Sequence, residues 1–182
     1  PNAKFEVMDI ERLEFADASF DAAACGHGLQ FVPDLRRALR EAHRVLRQGA
    51  RFGASLPVDG DGDRPWRLLF EVVDRWLPPA PSPPDRERTR ATVNDADALR
   101  AAAVETGFVE ASVEVIEEQV RWESAEQLVG RCMSWWDLAA RLDGVAASKR
   151  EQFAQDAIAT LRSEYPGAVD TTGRNNLLLA VK

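Results

Sequence analysis

His27 is flanked by glycine on both sides, in Gly26-His27-Gly28, and follows a short apolar run, Phe20-Asp21-Ala22-Ala23-Ala24-Cys25. An imidazole titrates near neutral pH, so it can take or give a proton, and the glycines let the backbone come close to a bound molecule. The other histidine, His43, falls on the flank of the helix that follows and reads as structural. Cys25 and Cys132 are the only cysteines and lie far apart, so neither a disulfide framework nor a metal site is indicated. Asp59, Asp61 and Asp63 alternate as in a calcium loop, but no glutamate follows at the ligand position, and a solvated loop is the better reading. Arg86, Arg88 and Arg90 could face an anion; an exposed charge run accounts for them more simply. Trp66, Trp76, Trp135 and Trp136 lie at core-like helical spacing, with Trp66 and Trp135 the candidates for an aromatic pocket that takes a flat or prenylated substrate.

The elements that must position His27 form one strand–loop–helix–strand unit from Phe20 to Phe52. Phe20–Cys25 can be buried on both faces, as a central parallel strand is. Asp34 is placed to cap a helix just after Pro33. Leu35, Ala38, Leu39, Ala42, Val45 and Leu46 share one face of it, and Gly49 is expected to close it. Arg51–Leu56 reads as the next strand. In such a βαβ unit the loop after the first strand is where open α/β sheets hold ligands.

The 182 residues suffice for one domain with a real core. A net charge of −7 argues against nucleic acid as the partner, because phosphate backbones need a basic face. No apolar run approaches the length of a membrane span and no signal peptide is visible, so a cytoplasmic protein is expected, with no membrane partner.

Lys4–Met8 reads as a strand ending at Asp9-Ile10. Trp66, Leu69, Phe70, Val73, Trp76 and Leu77 make an apolar helical stripe with Pro65 in the first turn, and Pro78–Pro84 reads as an extended connection. Asn94 with Asp97 marks a helix start, and Gly107 its end. Phe108–Ile116 alternates as a strand with one wet face, near a sheet edge. Ser124 with Gln127 and Ser148 with Glu151 are capping-box patterns. The first opens a helix carrying Leu128, Cys132, Trp135, Trp136 and Ala139; the second opens one carrying Ala154, Ala157, Ile158, Leu161 and Tyr165. Leu177–Val181 ends the chain as a buried strand.

Asp9, Leu13, Phe15, Asp17, Ser19-Phe20-Asp21, Gly28-Leu29-Gln30-Phe31, Pro33-Asp34, Ala38-Leu39, Glu41 and Arg44-Val45-Leu46 stand in the order and spacing of the class I S-adenosylmethionine-dependent methyltransferases. Within that class the chain resembles the small-molecule group that includes quinone-biosynthesis methylases. It departs at Glu14, Ala16, Gln48 and Ala50, which alter turn chemistry rather than charge. The resemblance implies an α/β, Rossmann-like sheet from its third strand onward, helices on both faces, and a helical lid. The last strand would lie antiparallel between its neighbours. The whole chain would be one partial domain, with residues 64–92 and 121–170 as lid-like insertions. The implied cofactor is S-adenosyl-L-methionine. Asp9 would accept from the adenine amine and the Ile10 N–H would meet a ring nitrogen. Cys25 and Gly26 would offer backbone groups to the amino-acid end, and Gln30 would bond nearby. His27 would face the methyl group as the base. No metal is implied.

The class carries a glycine-rich loop after its first strand and an acid after its second, and no Gly-x-Gly-x-Gly occurs here. The family strand order is 3-2-1-4-5-7-6, so Phe20–Cys25 is expected to be an open edge. The expectation is a truncated chain, inactive alone, that dimerises through that edge or rearranges its N-terminus. The alternative is a non-catalytic, methyltransferase-like dimerisation or binding module.

Overall fold

The computed structural model describes residues 2–58, 62–79 and 84–182. It groups them into two compact units. The first comprises Pro1–Val58, Pro83–Ile116 and Arg174–Lys182, and the second Asp59–Ser82 and Glu117–Gly173.

In the first unit β1 (Phe20–Gly26) pairs in parallel with β2 (Leu46–Pro57). Between them run a single 3₁₀ turn (Leu29–Phe31) and α1 (Leu35–Val45), completing the expected βαβ crossover. Asp34 does cap α1: its carboxylate accepts from the Arg37 N–H at 3.0 Å. Leu35, Ala38, Leu39, Ala42 and Val45 are the buried face of α1. They meet Phe52, Ala54 and Leu56 of β2 in one core.

The helix ends sooner than the sequence suggests. Gly49 does not close it; the strand begins at Leu46, and Gly49 sits inside β2 at φ +76°. The pairing moves from Phe20–Leu46 to Ala22–Arg51, so extra β2 residues bulge out, and Gly49 takes the left-handed bend. Its N–H donates to the Lys182 carbonyl at 2.7 Å. The end of α1 is instead covered by the Lys182 ammonium, which donates to the carbonyls of His43 (2.8 Å) and Arg44 (3.3 Å).

Strand β4 (Val169–Val181) runs antiparallel to β2, with Phe52 opposite Ala180 and Ala54 opposite Leu178. The sheet order is β1-β2-β4-β3, where β3 spans Glu110–Trp122. The last strand therefore lies between its neighbours, as expected, and the order matches 4-5-7-6. β3 is an edge strand, and its alternation slips: Ala111 and Val113 pack on the core while Val115 is 52% exposed.

Lys4–Met8 is not a strand. Phe5 and Val7 are fully exposed and no strand pairs with them among the described residues; an extended segment without a ladder is not held. Where an extended connection was expected to reach Pro84, α3 (Pro84–Asn94) begins. Residues 59–61 and 80–83, with Asp59 and Asp61 of the considered calcium loop, lie outside the described residues. α4 (Ala96–Glu105) is capped by Asp95, not Asn94. The Asp95 carboxylate accepts from both Asp97 N–H (2.9 Å) and Ala98 N–H (3.0 Å), while Asn94 is the last residue of α3. The expected insertion 64–92 is divided: α3 groups with the first unit, where Thr89 donates to the Pro33 carbonyl.

The second unit holds α2 (Arg64–Trp76), α5 (Ala125–Cys132), α6 (Trp136–Leu142) and α7 (Ala147–Glu164). The buried face of α2 is Leu68, Leu69, Val72 and Val73, so the stripe is rotated from the expected one and Phe70 points outward. Ser124 and Gln127 form the capping box, with Gln127 reaching back to the Glu123 N–H at 2.7 Å. The single helix expected after it is broken at Met133–Trp135, where Ser134 Oγ donates to the Arg131 carbonyl and competes with the helical ladder. Ser148 does not cap α7; the helix starts at Ala147, and the Ala146 carbonyl takes the Lys149 and Arg150 N–H groups. Phe153, Ala157 and Leu161 bury the inner face of α7 against Leu128, Val129 and Cys132.

Candidate functional site

The end of β1 sets the geometry around His27. Gly26 pairs with Ser55, and the His27 N–H continues the ladder onto the Ser55 carbonyl at 2.9 Å. The chain then turns through a left-handed His27, φ +52°. For a residue with a Cβ this costs about 1 kcal/mol or more, so the surrounding bonds must hold it. They do: Gln30 Nε2 donates to the His27 carbonyl at 2.9 Å, and the Phe31 N–H donates to the Gly28 carbonyl at 3.1 Å. The His27 side chain is exposed. Gly28 is the tight glycine, since a Cβ there would lie 2.8 Å from Cys25 Sγ, whereas a Cβ on Gly26 would meet open space. Gln30 Oε1 is buried with no donor among the described residues. That is an acceptor with its water stripped away and nothing in exchange.

Asp9 and Ile10 lie in a tight turn. The Asp9 carbonyl accepts from the Arg12 N–H, and its Oδ1 accepts from the Glu11 N–H, each at 2.9 Å. Asp9 is exposed, while Ile10 packs on the first core. The turn is tied to the start of α1: Glu11 Oε1 accepts from the Asp34 N–H at 2.7 Å, and Arg37 donates to the Glu11 carbonyl at 3.0 Å. The β1 loop also leads into the start of α1, so Asp9–Ile10 and Cys25–Gln30 are both anchored there.

Behind the turn stands a clamp that sequence reading missed as such. Arg44 forks onto Glu41 through Nε and Nη2 (both 2.9 Å), onto Asp17 (2.6 Å), and onto the carbonyls of Leu13 and Phe15 (both 2.8 Å). Glu41 Oε2 takes the Leu13 N–H at 2.7 Å. The Arg44 guanidinium, aided by the Leu13 N–H, holds the Glu41 carboxyl below its usual range against the opposing effect of burial. Only the three-residue spacing of Glu41 and Arg44 was visible as a signal. His43 packs edge-on against Phe108 at 5.2 Å. Burial there, with the Lys182 charge, pushes its imidazole pKa down.

In the second unit Trp66 and Trp135 come together, their ring centroids 5.3 Å apart, with Phe70 at 6.4 Å from Trp66. Phe70 and Trp135 are 51% and 42% exposed, so the cluster presents an aromatic face to solvent. Trp76 is engaged otherwise: its Nε1 donates to Asp156 at 2.7 Å. Trp136 begins α6. Cys132 is core, and burial pushes its thiol up to about 12. Iodoacetamide at pH 8 is expected to label the half-buried Cys25 and to leave Cys132 unmodified in the native chain; peptide mapping that found both labelled at similar rates would contradict this. Among the described residues no His, Cys, Asp and Glu group could hold a metal, and no helix is long and apolar enough to cross a membrane. The arginines of α3 are engaged: Arg88 pairs with Asp85 at 2.6 Å, and Arg86 lies over the Phe31 ring at 5.8 Å.

Residues 1–53 match the family described as a methyltransferase domain. The chain is 47% identical over 81 residues to the ubiquinone/menaquinone biosynthesis C-methyltransferase UbiE of Brucella anthropi, covering 41% of this chain and 27% of that protein. It is 39% identical over 84 residues to the 2-phytyl-1,4-naphtoquinone methyltransferase of Synechococcus elongatus, covering 41% and 34%. The matches thus span about a third or less of these relatives. A structure from Anaeromyxobacter dehalogenans assigned as a type II methyltransferase superposes on 100% of this chain and 72% of its own, at 19% identity and a TM-score of 0.59. The YcgJ protein of Bacillus subtilis does so over 100% and 72%, at 18% identity and a TM-score of 0.51. Residues 1–53 are therefore similar to the methyltransferase domain family, and the chain shares the Rossmann-like fold of a solved structure assigned as a methyltransferase.

Proposed function

We propose that the chain carries part of an S-adenosylmethionine-dependent methyltransferase that acts on a small, flat, apolar acceptor of the quinone type. The observation that carries this reading is the methyltransferase-domain match over residues 1–53, the stretch that contains the Asp9 turn and the β1 loop. The quinone class comes from the relatives named above.

The residues fit the cofactor. Gln30 Oε1 is a buried acceptor lacking a donor, which suits an ammonium group. Asp9 spends one carboxylate oxygen on Glu11 and keeps the other for an adenine amine, with Ile10 supplying a backbone N–H. Cys25 and Gly26 supply backbone groups at the end of β1. Bound there, S-adenosylmethionine supplies an electrophilic methyl group on a sulfonium. The protein's part is placement, and removal of a proton where the acceptor loses one. His27 takes that proton, on a backbone pinned by Ser55 and Gln30. Within the second unit, Trp66 and Trp135, with Phe70 beside them, form an aromatic face of the kind that suits a flat apolar ring. A cytoplasmic location accords with this chemistry.

The test is calorimetric titration with S-adenosylhomocysteine. Micromolar binding is expected, weakened about tenfold in Asp9→Ala by loss of one charge-assisted hydrogen bond. Equal binding in the variant would remove Asp9 from the site. No binding by the wild-type chain would set the catalytic reading aside.

That outcome would favour the second reading, a non-catalytic module that forms dimers. It is motivated by β1, the outermost strand of the sheet, whose other backbone edge pairs with no strand among the described residues and could be extended by a second copy. Sedimentation equilibrium would then show twice the 20.2 kDa mass; a monomer at high concentration would remove it.

A further inference from the structure

We infer that a groove of about 550 Å³ beside α1, lined by Arg12, Arg37, Arg40 and Arg44 with Glu11 and Glu41, binds a phosphate group. None of these residues is among the cofactor or acceptor positions proposed above.

The argument rests on how the guanidinium groups are spent. Arg44 is used up by Glu41, Asp17 and two carbonyls. Arg37 gives only its Nε, to the Glu11 carbonyl, which leaves both terminal nitrogens. The guanidinium groups of Arg12 and Arg40 make no hydrogen bond or ion pair among the described residues. Glu41 is matched by Arg44, and Glu11 already accepts from the start of α1. Three guanidinium groups therefore face one carboxylate, an excess of two positive charges in a chain of net charge −7.

Arg37 and Arg40 are three residues apart on α1 and so share a face, and the Asp9 turn brings Arg12 to the same groove. Like charges gathered without counter-charge raise the energy of the fold unless an anion joins them. A dianionic phosphate matches both the excess charge and the planar fork of a guanidinium, which pairs with two oxygens at once. Of the remaining lining groups, Thr106 Oγ1 is turned onto the Ala102 and Ala103 carbonyls, and burial pushes the His43 imidazole pKa down. A soluble phosphate monoester and the monoester headgroup of phosphatidic acid share this chemistry.

The experiment compares the wild-type chain with Arg12→Gln/Arg40→Gln. Both side chains are exposed and make no side-chain bond among the described residues, so the variant keeps the fold, which circular dichroism checks. Arg88→Gln, on α3, is the control. Calorimetry with pyrophosphate covers a soluble source; co-sedimentation with phosphatidic acid against phosphatidylcholine vesicles covers a headgroup. Binding of either probe at low salt that falls at least about tenfold in the double variant and weakens with added salt supports the site and names its source. Failure of both probes, or equal binding by wild type and double variant, overturns it. So does binding of poly-glutamate without binding of either phosphate probe, which would mark an acidic protein partner.

Discussion

Phe108→Ala is expected to destabilise the first unit by about 3–5 kcal/mol, the usual cost of removing a buried aromatic ring. Phe108 is 1% exposed, stacks on Phe52 at 5.8 Å, and takes the edge of His43 at 5.2 Å. It joins the strand β2, the helix α1 and the end of α4, because Gly107 just before it turns at φ +112°. A cavity there cannot collapse easily, since Leu39, Leu99 and Ala103 around the same core are already fully buried. The choice of measurement follows from the sequence. All five tryptophans lie in the second unit, so fluorescence does not report on the first. Amide hydrogen exchange of α1 and β2 does, and protection there is expected to fall by about two powers of ten or more. A fall of less than tenfold would show that Phe108 does not hold this core.

Arg44→Met is expected to cost about 2–3 kcal/mol, the scale of hydrogen bonds to charged groups left half made. The methionine keeps the apolar stem but strands Glu41, which is only 20% exposed, and frees the carbonyls of Leu13 and Phe15. The 30% exposure of Arg44 keeps the cost below that of a fully buried pair. The pH dependence separates this effect from simple packing. The folded pKa of Glu41 lies below its ordinary 4.5, so its contribution is present above that pH and is lost as pH falls towards the folded value. With Arg44 removed, the Glu41 pKa rises again. The gap between wild type and variant should therefore narrow below pH 4.5 in urea unfolding followed by hydrogen exchange. His43 adds an earlier acid loss to both proteins. Its folded pKa is lowered from 6.5, so the unfolded chain takes up the proton first and stability declines as pH falls past that value. A gap that stayed constant from pH 7 to pH 3 would show that Glu41 is not coupled to Arg44.

Much of the candidate site was legible because its signals are local. The Asp34 cap, the apolar face of α1 and the Gly26-His27-Gly28 loop each lie within a few residues of the features that define them. The errors have a common source. Gly49, Ser148 and Asn94 all carry correct local chemistry for a cap, yet none serves as one. At Gly49 the competitor is tertiary: the Lys182 backbone bonds Gly49 and Ala50, and Phe20 pairs with Leu46, which claims the residues after Val45 for the sheet. At Asn94 it is a stronger acceptor one residue away. Lys4–Met8 has a strand's composition but no described partner to pair with, and composition alone does not form a ladder.

The sequence by itself determined the βαβ unit, the likeness of residues 1–53 to a methyltransferase domain, the Ser124–Gln127 cap and the burial of Cys132. These follow from periodicity, capping and motif spacing, which act over a few turns of chain. Only the tertiary structure decided that Trp66 meets Trp135, that Arg44 closes the 13–17 segment, and that Arg12 joins Arg37 and Arg40 around one groove. Those residues are separated by tens of positions. Their meeting depends on how helices and strands pack, which no local pattern encodes.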